Sequence, residues 1–233
     1  MSGRVLLLMK GPEADFFRDL LRRANPTLAI SHCPDVDSLT ACAKSATDKA
    51  ASSRPRARLI AFSTQVVAPR AILERLSYNA YNFHPGPPDY PGSKPSAFAI
   101  YEGARNFGVT LHRMAARVDS GEIVAVDRFP IADAASARDV AIEAYGRMAR
   151  LALTAAPALA QVDRPLPPDG SVWRGVKRRM ADYEALRVIT PGLSQSEVAR
   201  RFAACDGIYC PLPSGAAADE AGAAPMDPNR SAS

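Results

Sequence analysis

Asn82 and His84 are the first candidates for chemistry in this sequence, because they stand two residues apart at the end of the apolar stretch 79–83. On a strand, that spacing places both side chains on one face of the sheet. A histidine with its ordinary pKa, about 6.5, suits proton transfer at neutral pH. An asparagine amide donates N–H groups that stabilise a developing oxyanion. The pair predicts a proton-transfer site, although a histidine that only caps a strand end would give the same pattern.

A stiff loop follows this pair. Residues 85–92, Pro-Gly-Pro-Pro-Asp-Tyr-Pro-Gly, contain four prolines and two glycines. Proline fixes its own backbone angle and restricts the residue before it. We therefore predict that the loop holds an extended shape and forms a wall of the site instead of a mobile flap.

Asp119 is the third candidate, in the turn sequence Val-Asp-Ser-Gly at 118–121, between two predicted strands. If the strand before Asp119 lies beside the strand of His84, the carboxylate reaches the imidazole. Asn82, His84 and Asp119 would then form an acid–base cluster around an electrophilic carbon. The sequence has no nucleophile elbow, no GxGxxG motif and no P-loop. We therefore predict direct transfer between bound substrates, without a covalent intermediate or nucleotide hydrolysis.

The elements that must position these groups alternate between strands and helices. Buried strands are predicted at residues 4–9, 28–32, 57–62 and 79–83, separated by helices from Pro12 onwards, at 34–53 and at 72–76. This order predicts an α/β fold with a Rossmann-like, mostly parallel sheet flanked by helices. Ligands of such sheets collect beyond the carboxyl ends of the strands, and His84 is predicted to be the first residue past the fourth strand.

The second half of the chain is predicted to complete this domain and to add an extension. A helix at 96–103, strands at 108–114 and 122–131, and a long helix from Ser136 to about 159 come first. A linker at 165–170 and a last helix that starts from a capping box at 194–197 follow. We divide the chain into a catalytic domain (1–162), a short basic C-terminal extension (163–212) and a disordered tail (213–233).

Composition limits the class of protein. The 233 residues have a formal net charge of +5, a mild bias towards anionic ligands. No apolar run approaches the ~20 residues that span a bilayer, and the N-terminal run is too short for a signal peptide. We predict a cytoplasmic protein with no membrane partner. The four cysteines, at 33, 42, 205 and 210, have no disulfide or metal-site spacing, which predicts reduced thiols and no metal.

The motifs within residues 55–135 resemble the N-terminal catalytic domain of the 10-formyltetrahydrofolate-dependent formyltransferases. That family includes the glycinamide ribonucleotide, methionyl-tRNA and sugar-amine formyltransferases. The resemblance rests on several motifs in the same order and at the same separations: Asn-Phe-His-Pro at 82–85, Asp-Tyr-Pro-Gly at 89–92, Gly-Val-Thr at 108–110 and Val-Asp-Ser-Gly at 118–121. The first 50 residues agree only in the rhythm of their elements.

The resemblance implies a role for each residue of the cluster. Asn82 would hold the formyl oxygen, His84 would act as the acid–base group, and Asp119 would orient His84 and relay the proton that leaves the amine. It also implies 10-formyltetrahydrofolate as the formyl donor, with no metal. The residues implied to bind this donor are a loop whose backbone holds the pteridine ring and two residues that face it: Phe62, Thr64, Gln65, Val66, Val67, Met114 and Val118.

The implied function is an N-formyltransferase that acts on a small amine, with an amino sugar on a nucleotide as one acceptor. The alternatives left open are a formyltetrahydrofolate hydrolase with the same triad, an enzyme similar to the methionyl-tRNA formyltransferases, and a non-catalytic folate-binding module. Residues 86–89 read Gly-Pro-Pro-Asp where many members read Ser-Leu-Leu-Pro. This departure lies on the acceptor side and puts the amine in doubt more than the triad.

Features outside the cluster rank these alternatives. Known hydrolases of this kind carry an N-terminal regulatory domain, whereas this sequence starts at its first strand. The tRNA enzymes carry a C-terminal barrel domain, for which the chain is too short, so nucleic acid is disfavoured as a partner. Residues 171–212 are similar to the short extension of small-amine and sugar formyltransferases. The alternative is a basic, solvated helix that Trp173 packs.

Other polar residues are given structural roles. His112 is interpreted as a structural or rim histidine, and His32 as a structural one. Arg113 and Arg117 are interpreted as surface charges. The oligomeric state is left open, with a homodimer among the candidates.

Overall fold

The computed structural model describes residues 3–47 and 57–207. The predicted end of the second helix beyond residue 47, Cys210 and the tail 213–233 lie outside these ranges. Six strands form one sheet within them: Arg4–Leu8 (β1), Ala29–His32 (β2), Ala57–Phe62 (β3), Ala80–His84 (β4), Asn106–Arg113 (β5) and Ile123–Pro130 (β6). Their spatial order is β2-β1-β3-β4-β5-β6. The first four pair in parallel, whereas β5 and β6 are antiparallel additions at one edge. The predicted α/β fold with a mostly parallel sheet is confirmed.

Helices flank the sheet, at Gly11–Ala24 (α1), Val36–Thr47 (α2), Arg70–Arg75 (α3), Pro95–Tyr101 (α4), Ala137–Leu159 (α5), Met180–Leu186 (α6) and Gln195–Ala204 (α7). Ser136 caps α5 by accepting a hydrogen bond from the Asp139 N–H, in a capping box. Ser194 caps α7 through the Glu197 N–H. The Glu197 carboxylate turns away to Arg201, so the capping box predicted there is only half formed. In the described ranges, no helix is both long and apolar enough to cross a bilayer.

The sheet is buried on both faces, which explains why its central strands are apolar throughout. Val5 and Leu7 of β1 belong to the core on the side of α1 and α5. Leu6 and Leu8 belong to the core on the side of α2 and α3. This alternation follows from the two-residue period of a strand.

Arg58 is a charge inside this core. Its side chain is fully buried and donates hydrogen bonds to Asn79 Oδ1 and to the carbonyl oxygens of Ala158, Leu159 and Arg164. Two of these carbonyls end α5, where the helix dipole favours a cation. Burial lowers the pKa of Arg58 to about 10, so it stays charged at neutral pH. Arg58 thus ties β3 to the end of α5 and to the segment that follows it.

Arg58→Met is expected to destabilise the fold by about 2–4 kcal/mol, because it leaves buried acceptors without donors. Denaturant unfolding followed by circular dichroism measures this change. Arg105→Met is the matched control, because Arg105 is exposed and its loss should change stability by less than about 0.5 kcal/mol. Equal stabilities of the two variants would contradict a structural role for the buried guanidinium.

The residues that follow α5 pack back on α4. Leu186, Ala204 and Cys205 form a small core with Phe98 of α4. Before them, residues 171–179, here named the strap, contain no helix. Trp173 lies in the strap and not in a helix, and the helices of this segment begin later, at Met180 and Gln195. The strap runs along the proline loop 85–92, where the Arg178 N–H donates to the Pro91 carbonyl at 3.0 Å.

Candidate active site

The antiparallel pairing of β4 with β5 assembles the site. Asn82 pairs with His112, and His84 pairs with Thr110, so these four side chains share one face of the sheet. The loop after β5 returns Asp119 to the same place, which meets the condition set from the sequence. His84 is the last residue of β4, and not the first residue past it as predicted. The cluster therefore lies on the sheet face as well as at the strand end.

His84 is held in one orientation. Its Nε2 donates to the Tyr90 carbonyl oxygen at 2.9 Å, because a carbonyl can only accept. The neutral ring therefore has its free lone pair at Nδ1, which lies 3.6 Å from Asp119 Oδ2. Burial lowers the pKa of His84, and the charge of Asp119 opposes that shift. The ring is neutral at pH 7 and can accept a proton at Nδ1.

Asp119 is an ionised carboxylate in a strained turn. Its φ of 50° lies in the left-handed region, which Asp and Asn tolerate better than most residues. Oδ2 accepts the Gly92 N–H at 2.9 Å, while Oδ1 is buried with no hydrogen-bond donor. Burial raises the pKa of Asp119, whereas its contacts with the two imidazoles and the Gly92 N–H lower it, to about 2. Asp119 Oδ1 is thus a buried acceptor that can take up a proton or bond to an N–H group.

His112 belongs to the cluster, although the sequence interpretation made it structural or peripheral. It is 2% exposed, and its Nδ1 donates to the Arg113 carbonyl at 2.9 Å. Nε2 then accepts from Asn82 Nδ2 at 3.2 Å and lies 3.4 Å from Asp119 Oδ1. His112 therefore fixes Asn82 and packs beside Asp119. Only the β4–β5 register places it opposite Asn82, and the sequence does not give that register.

Asn82 is the most solvent-accessible member of the cluster. It is half-buried, whereas His84, His112 and Asp119 are buried. One N–H of its amide bonds to His112. Its other N–H has no partner within residues 3–47 and 57–207, so it is free to donate to a substrate oxygen.

The proline loop 85–92 holds His84 and Asp119 in place. Its Tyr90 carbonyl and Gly92 N–H bond to His84 and Asp119. Gly86 is required by this packing, because a Cβ there would lie 2.7 Å from His84 Nε2. The Gly86 carbonyl also accepts from Thr110 Oγ1 at 2.8 Å. The loop makes the contacts expected of a fixed wall.

Trp173 covers the two imidazoles. Its ring centre lies 5.7 Å from that of His84 and 5.1 Å from that of His112, edge to face in both cases. Its Nε1 donates to the Gly121 carbonyl at 2.8 Å. No motif in the sequence predicts that Trp173 belongs to the site. The one signal is that it is the only tryptophan of the sequence.

The residues predicted to bind the donor differ in their surroundings. The Phe62 side chain is in the core against Phe17 and Phe83, so only its backbone is available to a ligand. Val66 and Met114 pack on the core of the α2 and α3 side, the face that also carries Ala80, Asn82 and His84. The remaining predicted residues are polar or exposed: Thr64 and Gln65 are polar, and Val67 and Val118 are 62% and 40% exposed. In the described residues, no cluster of three or more His, Cys, Asp or Glu side chains could hold a metal.

Comparison with known sequences gives matches to one family. The sequence profile of the formyl transferase family matches residues 5–148, which is more than half of the 233 residues. A methionyl-tRNA formyltransferase from Nitrobacter winogradskyi is 33% identical over 76 residues, which cover 32% of this chain and 24% of that protein. The match thus spans about a quarter of that relative's length.

Solved structures share the fold. A sugar N-formyltransferase from Shewanella sp. FDAARGOS_354 gives a TM-score of 0.67 at 16% identity, over 87% of each chain. A formyltransferase from Anoxybacillus kamchatkensis, in complex with UDP-4,6-dideoxy-4-formamido-L-AltNAc and tetrahydrofolate, gives a TM-score of 0.60 at 21% identity. That match covers 82% of this chain and 93% of the other. At these identities the likeness shows the fold alone.

Proposed function

The chain belongs to the formyl transferase family, and on that premise we propose that it transfers the formyl group of 10-formyltetrahydrofolate to a primary amine. We propose an amino sugar carried by a nucleotide as the acceptor class. One observation carries the proposal. Half-buried Asn82 meets buried His84 and Asp119 in one cluster, in which His84 Nδ1 lies 3.6 Å from Asp119 Oδ2 and Asn82 Nδ2 keeps one N–H free within the described residues.

Each side chain has a step that its geometry supports. The donor supplies an electrophilic formyl carbon. The free N–H of Asn82 donates to the formyl oxygen as negative charge develops there. His84 Nδ1 takes the proton that the attacking amine loses. The ionised Asp119, 3.6 Å away, stabilises the imidazolium that results.

The neighbouring surface fits a folate. Val118, which precedes Asp119, and Val67, in the loop after β3, expose apolar side chains, and a flat heteroaromatic ring would cover such area. Residues 63–67 follow β3 without regular structure, so their backbone groups, apart from the Val66 N–H that donates to Thr64 Oγ1, are able to bond to the ring of the donor. These features support the predicted donor-binding residues.

The charge around the site fits an anionic acceptor. Arg117, Arg174 and Lys177 are exposed on the loop 114–121 and on the strap. None of the three has a carboxylate partner in the part of the chain that the structure describes. Lys177 Nζ instead bonds to the Val118 carbonyl at 2.8 Å. A diphosphate carrier would supply the missing negative charge, and the Anoxybacillus kamchatkensis neighbour contains a UDP sugar.

A donor-turnover assay tests the proposal. Tetrahydrofolate formation from 10-formyltetrahydrofolate is followed by absorbance, with amino-sugar nucleotides, simple amines and methionyl-tRNA added one at a time. We expect release that depends on an amino-sugar nucleotide, with the formamide product found by mass spectrometry. Rapid release with water alone would favour the hydrolase, and formylation of methionyl-tRNA would favour that class. Folate binding without any turnover would favour the non-catalytic module.

A further inference from the structure

We propose that Trp173 determines whether an amine or water takes the formyl group, by excluding water from the acid–base cluster. This inference rests on the proposed formyl transfer and deepens it. The strap that carries Trp173 belongs to the C-terminal extension, outside the residues 5–148 that match the family profile. Trp173 is thus an addition to the catalytic domain that acts on its chemistry.

The position of Trp173 supports this role. Its ring stands edge to face against both His84 and His112, which are 3% and 2% exposed. Asn82 alone remains half-buried. Water can therefore approach the cluster only from the side of Asn82, where the formyl oxygen would bind. A bound acceptor and donor would fill that remaining side.

The strap is built to hold Trp173 in place. The Arg174 N–H of the strap donates to the Pro88 carbonyl, and the Ser93 N–H donates to the Arg178 carbonyl of the strap. Gly175 rests directly on the proline loop, because a Cβ there would overlap the Asp89 carbonyl oxygen. The indole N–H bonds to the Gly121 carbonyl, beside Asp119. Any side chain at position 175 would lift the strap.

The two reactions differ only in the nucleophile. In transfer, the amine nitrogen forms a bond to the formyl carbon, the bond from that carbon to N10 breaks, and the amine proton passes to N10. The products are the formamide and tetrahydrofolate. With water, the oxygen forms the new bond, and the products are tetrahydrofolate, formate and a proton. The same cluster supports both, so water must be kept away.

The test compares Trp173→Ala, Trp173→Phe and wild type. Without amine, Trp173→Ala should release formate at least about tenfold faster than wild type. With the acceptor from the panel present, its ratio of formamide to formate should fall. Trp173→Phe keeps an aromatic ring over the imidazoles and should restore most of that ratio. A residue needed only for folding would lower both products together, which would overturn the proposal.

A second variant displaces the strap and leaves Trp173 unchanged. Gly175→Ala should raise formate release as Trp173→Ala does. Gly146→Ala is the matched control, because nothing lies within 4 Å of a Cβ at Gly146, and its formate release should equal that of wild type. Unchanged release in Gly175→Ala and Trp173→Ala would overturn the proposal.

Tryptophan fluorescence gives an independent measure of the contact between Trp173 and His84, because Trp173 is the only tryptophan. Protonated imidazole in contact with indole quenches its fluorescence. Because burial lowers the pKa of His84, emission should stay constant through pH 6.5 and fall at more acidic pH. The drop should shrink in His84→Gln. An emission profile unaffected by that substitution would mean that the indole does not contact His84 in solution.

The two proposals fail in different ways. If no amine is formylated and the Trp173→Ala protein still releases formate faster than wild type, the acceptor proposal fails and the role of Trp173 stands. If wild type formylates an amine but already releases formate as fast as Trp173→Ala, the role of Trp173 fails alone.

Discussion

His84→Ala is expected to lower formyl transfer by about 10²–10⁴-fold and to leave folate binding nearly unchanged. Nδ1 of His84 is the atom placed to take the amine proton, because Nε2 already donates to Tyr90. The donor surface at 62–67 does not include His84, so binding should survive. Steady-state turnover at saturating donor gives the first quantity, and fluorescence titration with tetrahydrofolate gives the second.

His32→Ala is the control for the loss of a histidine. His32 lies at the end of β2, where its Nε2 bonds to the Met9 carbonyl at 2.9 Å, and it has no contact with the cluster. Its variant should turn over like wild type. If His84→Ala loses binding and turnover to the same extent, His84 holds the site together and does not transfer the proton.

Much of the fold could be predicted because it is encoded locally. β1 and β3 are runs of apolar residues with no charge except Arg4 and Arg58, and α5 begins at a capping box. The direction of β5 could not be predicted, since the same alternation suits a parallel or an antiparallel strand. α6 was missed because its seven residues show no clear apolar stripe.

The residues of the site likewise divide into those that a local motif predicts and those that only a distant contact brings in. Asn82, His84 and Asp119 were found because they stand in short motifs whose spacing has a chemical meaning. His112 and Trp173 were not, because each reaches the site through a contact between segments distant in sequence. His112 depends on the β4–β5 register. Trp173 depends on how residues 171–179 cross the proline loop, which no local pattern predicts.

The proline loop holds together the segments of the site that are distant in sequence. Its backbone bonds to His84, to Asp119 and to the strap, so one rigid segment sets the positions of the acid–base groups and of their cover. Restricting the loop by prolines lowers the entropy lost when these groups are ordered. We infer that the stiffness of residues 85–92 serves preorganisation of the cluster.

Asp119→Asn is expected to lower turnover by about 10²–10⁴-fold, because it removes the charge that stabilises the imidazolium of His84. Asparagine tolerates the left-handed φ of 50° at this position, so the turn should fold. Asp127→Asn is the matched control, because Asp127 forms a part-exposed ion pair with Arg147. Its turnover should equal that of wild type.

The pH profile of Asp119→Asn separates a chemical role from a structural one. Transfer needs neutral His84, and burial lowers the pKa of His84, so wild-type activity should persist below pH 6.5 and decline at more acidic pH. Asp119 is the largest influence that raises this pKa. Its neutralisation should therefore move the acid limb to still lower pH, on a much reduced plateau. A limb that moves to higher pH, or a plateau at the wild-type level, would show that Asp119 does not act on the charge of His84.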